Sequence, residues 1–534
     1  MEFIVTIDVD EAKKLQQKLE QALQLQQKGE LDEAVKLYQE ILNRIPQHPD
    51  ALHLLGVIMY KRGNFTDAAS MIKKSISVSP KIAQYHNSLG MVMSNLGQHE
   101  KAIICYVNAL DLDPGYLEAQ DNLLLQIRWS NNPESIADRF KKNVDDNKDN
   151  PYSYHFLARA YQRICRFDDA ILNFEKAIAC DPDFFRSYIG LASGKKITED
   201  DKDFVNRMVK LASANSLSER NRSRLFFAIG KAYDDLGDYE AAFNNYDKAN
   251  KIRKSTFNNP FDRPQHLFYI TRIKSAFTKA FLDRHRDKGS NNERPVFIVG
   301  LPRSGKTLVE QVLSHHGNIT GVGEVSYIPD ITKRLPVLLQ TSRRYPRCIS
   351  RINNDVLCKL ADKYLELIAE IPDKYIRVID TLGANYLHVG FISMMFNNAK
   401  VIHCHRNVFD ECLLLYFTDF ETDKFHQYTF DLSDIGYYYR LYNDLMSHWR
   451  KVLSIPILEI SYEEHMDKQT SMLKDLTEFC GLDWNTNCSE YYNQEKINMT
   501  SGFWQVRQDL YQPSIGKWKN YEKYLQPLKD ALQI

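Results

Sequence analysis

At 534 residues the chain has room for roughly three or four domain-sized units and more than one hydrophobic core. Lys plus Arg and Asp plus Glu both total 69, so the formal net charge is zero, and no global basic field draws the protein to nucleic acid or to an anionic membrane. The nine cysteines are scattered without a C-x-x-C pair, which fits reduced thiols better than a disulfide framework. Residues 1–14 lack the apolar core of a signal peptide, and no apolar run approaches the ~20 residues that span a bilayer. A cytoplasmic location is expected.

After a short leader the sequence repeats itself with a period of 34 residues: Gly29, Gly63 and Gly97 share one slot, Ala34, Ala68 and Ala102 a second, Pro46, Pro80 and Pro114 a third. Small residues let two antiparallel helices touch closely, and the proline stops the second helix before the next repeat begins. The pattern resembles the tetratricopeptide repeat, a helix–turn–helix unit that stacks into a solenoid and whose concave face usually binds a peptide or another protein. Repeats are expected near 14–47, 48–81, 82–115, 116–150 (degenerate, with Asn131-Asn132-Pro133 disturbing its turn) and 151–183. A displaced later copy follows at 222–255, after an insertion or an irregular repeat over 194–221. The array thus occupies 1–255, with 256–290 read as linker and lead-in helix and 291–534 as a second domain. A self-packing scaffold or a dimerisation arm is the bland alternative for the array, and homo-oligomerisation is left open.

The second domain opens on Pro295 to Glu324. Val296-Phe297-Ile298-Val299 is short and apolar, as suits a buried parallel strand, and from Thr307 the residues Leu308, Val309, Val312 and Leu313 fall on one helix face. Between them Gly300 to Thr307 has the spacing G-x-x-x-x-G-K-[ST] in the strand–loop–helix setting that gives it meaning. Its glycines permit a turn that points backbone N–H groups into one concavity at a helix N-terminus; Arg303 and Lys306 add charge, Ser304 and Thr307 add hydroxyls. A phosphate-type ligand is expected. Two more strands are expected at Ile376–Asp380 and Lys400–Cys404, which should project Asp380 and Arg406 towards the loop, with Arg406 as a second anion site.

The set G-L-P-R-S-G-x-T (300–307), G-E (323–324), H-C-H-R (403–406), Y-F-T-D-F (416–420), Y-E-E (462–464) and T-S-G-F-W-Q-V-R…S-I-G-K-W (500–518) resembles sulfotransferases that use 3′-phosphoadenosine-5′-phosphosulfate (PAPS). In particular it looks like the bacterial tetratricopeptide-repeat sulfotransferases, whose catalytic domain is similar to that of tyrosylprotein sulfotransferases. The resemblance implies a helical repeat solenoid followed by an α/β P-loop domain with a central parallel sheet. It implies that Arg303, Ser304, Gly305, Lys306 and Thr307 hold the 5′-phosphosulfate, and that Arg406 pairs with the 3′-phosphate. Tyr462 would line the adenosine end, Arg507 and Lys517 would close over the phosphates, and Glu324 would act as general base on a hydroxyl acceptor, with adenosine 3′,5′-bisphosphate as product. Cationic donors and backbone amides would suffice without a metal. The acceptor implied is a protein or peptide docked by the repeats, tyrosine among the candidates.

The chain departs from that family at Lys306, where the loop usually has threonine, and at Thr381, where D-K-x-P usually supplies a lysine. Leu414 and Gly502 stand where serines are usual. Lys306 could supply the cation missing at Thr381. Two alternatives follow: a catalytically weakened protein acting by nucleotide and protein binding, or a P-loop phosphotransferase or NTPase in which Thr307 and Asp380 would ligate Mg²⁺. Segments Tyr327–Arg351, with its basic run at 343–347, and Phe425–Asp434 are expected to rim the acceptor side.

Overall fold

The computed structural model turns the repeat period into pairs of helices. It describes residues 9–534 apart from 128–129, 131, 215–216, 258–259, 370, 421–423, 468 and 485–514. Residues up to Gly194 form one compact unit and those from Lys195 onward a second.

In the first unit Val9–Lys28 packs with Leu31–Arg44, Pro49–Lys61 with Phe65–Val78, Ala83–Asn95 with His99–Leu112, and Pro151–Arg163 with Phe167–Cys180. The turn slot demands a left-handed residue, and Gly29, Gly63 and Gly97 have φ of 87°, 80° and 74°. Cys165 takes that slot in the fifth repeat, with φ of 67°. Ala34, Ala68 and Ala102 are fully buried in the helix contacts. Close approach explains Gly90, where an added Cβ would lie 2.5 Å from the Tyr106 ring of the partner helix. The degenerate repeat has a short first helix, Leu117–Gln126, and its second, Pro133–Asp146, starts with Asn132 capping Ser135 and proline at the first position.

The second unit begins with the helix Lys202–Ala212, which occupies part of the 194–221 stretch, followed by the repeat pair Glu219–Asp235 and Tyr239–Thr256. That last pair packs into the same unit as the sheet. Asn250 Nδ2 donates to the Tyr416 carbonyl at 2.8 Å, Arg253 pairs with Asp419 at 2.7 Å, and the Phe243 and Tyr524 rings stack 4.1 Å apart. The segment after it forms the helices Arg263–Ala276 and Lys279–Arg284, and Ile270, Ile273 and Phe277 are buried in the core of the α/β layer.

The sheet has five parallel strands: β1 (Pro295–Val299), β2 (Ile319–Gly323), β3 (Arg377–Asp380), β4 (Lys400–His405) and β5 (Ile457–Ser461), in the order β2-β3-β1-β4-β5. Alternation along the strands feeds two cores. Val296 and Ile298, with Ile379 and Ile402, face the helix Lys306–Ser314 and Leu473 and Leu476. Phe297 and Val299, with Val378 and Val401, face Tyr364, Phe396 and Trp449. The chain leaves β1 towards one edge of the sheet and leaves β4 towards the other. Adjacent strands whose connections diverge open a crevice at their C-terminal ends, and the loop at Gly300 and Arg406 stand at that point. No described helix is long and apolar enough to cross a membrane, and the eight described cysteines are all free thiols.

Candidate active site at the ends of β1, β2 and β4

The loop after β1 is built by backbone that few residues tolerate. Gly300 has φ of 148°, and a Cβ there would stand 2.8 Å from Ser304 Oγ. Gly305 (φ 98°) is the N-cap of the helix Lys306–Ser314, and a Cβ would meet the Tyr462 ring at 3.0 Å. Arg303, with φ of 72°, adopts the left-handed region as well. The loop thus wraps towards a helix N-terminus, where N–H groups and dipole favour an anion. Ser304 is buried and its hydroxyl has no hydrogen-bond partner among the described residues. Such an orphan in an anion-shaped loop fits the sulfated or phosphorylated end of a nucleotide.

Two cations serve this loop from different directions. Lys306 is buried; its Nζ donates to the Leu301 carbonyl at 3.0 Å and stands 3.9 Å from Glu324 Oε1. The same ammonium lies 2.9 Å from where a Cβ on Gly383 would be, so it reaches across to the turn after β3, where the cation usual at Thr381 would start. Arg303 donates from Nε to Thr418 Oγ1 at 3.2 Å; burial lowers the proton affinity of its guanidinium and the charge of Glu324 opposes that. Thr307, the first residue after Lys306, is half-buried.

Arg406, at the end of β4, is also buried. Its Nη1 lies 3.5 Å from the Arg303 carbonyl, its Nε 3.9 Å from Glu463 Oε1, and its guanidinium 4.4 Å from the centre of the Tyr462 ring. Tyr462 therefore sits between the glycine loop and the second cation, as a flat wall to both. Glu324, half-exposed at the end of β2, supplies the carboxylate at the mouth.

One expectation from the sequence is corrected. Asp380 does not project towards the loop. It is fully buried, Oδ1 accepts from the Leu382 N–H at 3.0 Å and Oδ2 from the Tyr364 hydroxyl at 3.3 Å, and burial pushes the carboxyl up to about 7. A caged carboxyl of this kind is not presented as a metal ligand, which removes one of the two residues, Thr307 and Asp380, on which the Mg²⁺-dependent alternative relied. The Lys517 ammonium, expected over the phosphates, is engaged by Asp234 on the repeat helix Glu219–Asp235, which also accepts from the Tyr521 hydroxyl at 2.5 Å. A carboxylate that is 8% exposed needs those donors. The segment Phe425–Asp434 starts at the exposed Phe425, and at its far end Asp431 is bonded to Lys254 at 2.8 Å. Arg507 and Gly502 lie outside the described residues.

Two acidic groups escaped the sequence reading. Glu310 stands one helical turn after Lys306, and an added Cβ on Gly321 would meet its Cδ at 2.8 Å, so its side chain lies flat on β2. Burial pushes its carboxyl up to about 7 and Glu324 adds to the rise, while the Gly323 N–H, the Thr381 hydroxyl and Lys306 pull it down. Glu411 is wholly buried behind Arg406, and neither carboxyl oxygen completes a hydrogen bond among the described residues, although the Arg406 N–H approaches it. Burial pushes Glu411 up to about 8, with Arg406 and Lys306 opposing. The signals were an acid four residues after a loop lysine and an acid pair, Asp410-Glu411, in an apolar helix.

Comparison with known proteins agrees with the geometry. Residues 295–486 match the model of the Sulfotransferase family, and residues 25–91, 83–116 and 223–256 match tetratricopeptide-repeat models. An uncharacterized protein of Aquifex aeolicus is 32% identical over 328 residues, 60% of this chain and 43% of the relative. The Arabidopsis thaliana CTR9 homolog is 26% identical over 236 residues, 44% of this chain and 18% of the relative. The chain therefore spans less than half the length of these relatives. Among solved structures, a tetratricopeptide repeat protein from Parabacteroides merdae is 19% identical with a TM-score of 0.33, covering 46% of this chain and 95% of that one. The chain carries a sulfotransferase-family domain over residues 295–486 together with tetratricopeptide repeats.

Proposed function

We propose that the protein transfers the sulfuryl group of PAPS to a hydroxyl acceptor, and that the repeats dock the protein or peptide bearing that hydroxyl. The observation that carries this reading is the convergence of two buried cations and one open carboxylate at the sheet's crevice: Arg406 Nη1 is 3.5 Å from the Arg303 carbonyl, and Lys306 Nζ is 3.9 Å from Glu324. The donor, when bound, supplies an activated sulfuryl group and leaves as adenosine 3′,5′-bisphosphate.

Arg303, Ser304, Gly305, Lys306 and Thr307 hold the 5′ end, with the orphaned Ser304 hydroxyl finding its partner there. Arg406 takes the 3′-phosphate through its fork of donors, and Tyr462 walls the nucleoside side. Arg507 is proposed to close over the phosphates, while Lys517 anchors its segment to Asp234. Glu324 accepts the proton of the acceptor hydroxyl, for which its half-exposed position at the mouth is suited. Lys306 places positive charge where negative charge grows on the transferring group, from the loop rather than from position 381.

The test is transfer of radiolabelled sulfate from PAPS to a tyrosine-containing peptide library and to small phenols, with Glu324→Gln as control. Transfer by the wild type and its loss in E324Q are expected. Nucleotide binding without transfer to any acceptor would favour a binding protein.

A further inference from the structure

The turn that follows the helix Val408–Tyr416 is held by the last repeat residue by residue. Asp247 accepts from the Tyr416 hydroxyl at 3.1 Å, and Asn250 donates to the Tyr416 carbonyl at 2.8 Å. The Phe417 ring stacks on Tyr246 with centroids 3.9 Å apart, and Arg253 Nη2 donates to Asp419 Oδ1 at 2.7 Å. Tyr246, Asp247, Asn250 and Arg253 recur at helical spacing along Tyr239–Thr256 and so share one face, where Asn250 and Arg253 are buried. Arg224, on the other helix of the pair, stands 4.0 Å from the second Asp419 oxygen.

Thr418 serves a different partner. Its hydroxyl donates to the Leu414 carbonyl at 2.7 Å and accepts from Arg303 Nε at 3.2 Å. The hydroxyl proton is thus committed to the preceding helix, and a lone pair faces the arginine. The repeat fixes residues 416, 417 and 419, and the residue among them holds the arginine of the glycine loop.

We infer that the last repeat belongs to the donor site as well as to the repeat array: its helix Tyr239–Thr256 sets the turn 416–419, and Thr418 is a positioning residue that aims the Arg303 guanidinium. The inference rests on Arg303 holding the 5′ end of the nucleotide, as proposed above. With Nε engaged by Thr418, the plane of the guanidinium is set and its Nη groups meet the anion. A long side chain fixed in advance loses less freedom when the ligand arrives, and its charge already stands where negative charge grows during transfer.

The experiment is calorimetry of the full chain with adenosine 3′,5′-bisphosphate and with adenosine 3′-monophosphate, which lacks the 5′ group. Thr418→Val keeps the shape of the side chain and removes the acceptor. It should weaken the bisphosphate about tenfold and the 3′-monophosphate hardly at all. Thr418→Ser retains the hydroxyl and should bind both as the wild type does. In an Arg303→Ala background T418V should cost nothing further, because Thr418 acts through that arginine. Arg253→Met combined with Asp419→Asn removes both charges of the anchor and should reproduce the selective loss; this pair carries the test if T418V does not fold. Equal losses for the two nucleotides, a full further loss from T418V in R303A, or wild-type affinity in either T418V or R253M/D419N overturns the inference while leaving the proposed function standing. A wild-type chain that binds no bisphosphate sinks the proposed function, and the inference falls with it.

Discussion

The Lys306 ammonium lies 3.9 Å from the Glu324 carboxylate and 3.0 Å from the Leu301 carbonyl, held in a buried position at the mouth of the loop. It thereby covers ground that position 381 leaves vacant. Removing one preorganised donor from a transfer site costs about a hundred- to a thousandfold in kcat. Lys306→Thr is expected to lose activity on that scale, and the double variant K306T/T381K to recover about tenfold or more of it, measured as sulfate transfer under single turnover. Wild-type rates in K306T would show the lysine to be dispensable.

Arg406 is buried with Glu463 3.9 Å away, so its guanidinium is preorganised for a fork of hydrogen bonds. A charge-assisted hydrogen bond contributes about 1.5–3 kcal/mol, or roughly 10- to 150-fold in affinity. Arg406→Ala should weaken adenosine 3′,5′-bisphosphate by about that factor while leaving adenosine 5′-monophosphate nearly unaffected. Equal losses for both nucleotides would place the residue elsewhere in the site.

Three carboxyls, two of them fully buried, hold protons well above the usual carboxylate range: Asp380 and Glu310 to about 7 and Glu411 to about 8, each chiefly through desolvation. The folded chain then binds more protons than the unfolded chain between pH 4 and 8, so stability is greatest at the acid end of that window and falls as pH rises through it. Each unit of displacement corresponds to about 1.4 kcal/mol. Glu411→Gln, neutral at every pH, should raise the urea midpoint at pH 8.5 and change it little at pH 5. A pH-independent gain would contradict the assignment.

Asp234 receives the Lys517 ammonium and the Tyr521 hydroxyl. Asp234→Ala strands a largely buried cation and should cost about 2–4 kcal/mol of stability, read from chemical denaturation. The double variant D234A/K517M should recover most of that loss, because it removes the orphaned charge as well. If both variants are equally unstable, packing at Tyr521 rather than the ion pair sets the cost.

Much of this fold was legible in the chain because its signals are local. A slot recurring every 34 residues fixes the repeats, and a four-residue apolar run ending in Gly300 fixes β1. The nearness of Arg406 to Arg303 followed from a rule about strand ends, since β1 and β4 are neighbours in the sheet. What was not legible depended on side-chain direction. Asp380 sits at a strand end, as ligand-binding acids do, but its register with Phe297 turns it towards Tyr364 in the core. Lys517 lies in a motif that suggests phosphate contact, but the buried carboxylate that claims it comes from a helix 283 residues earlier. Glu310 was hidden for a similar reason: it meets Gly321 only once β2 lies against the helix Lys306–Ser314.

The most direct test of the central claim is calorimetric titration of the full chain with adenosine 3′,5′-bisphosphate in EDTA, beside ATP with Mg²⁺. One site per chain for the bisphosphate, weakened in R406A and independent of metal, is the expected result. No binding of the bisphosphate, or binding of ATP only when Mg²⁺ is present, would contradict it.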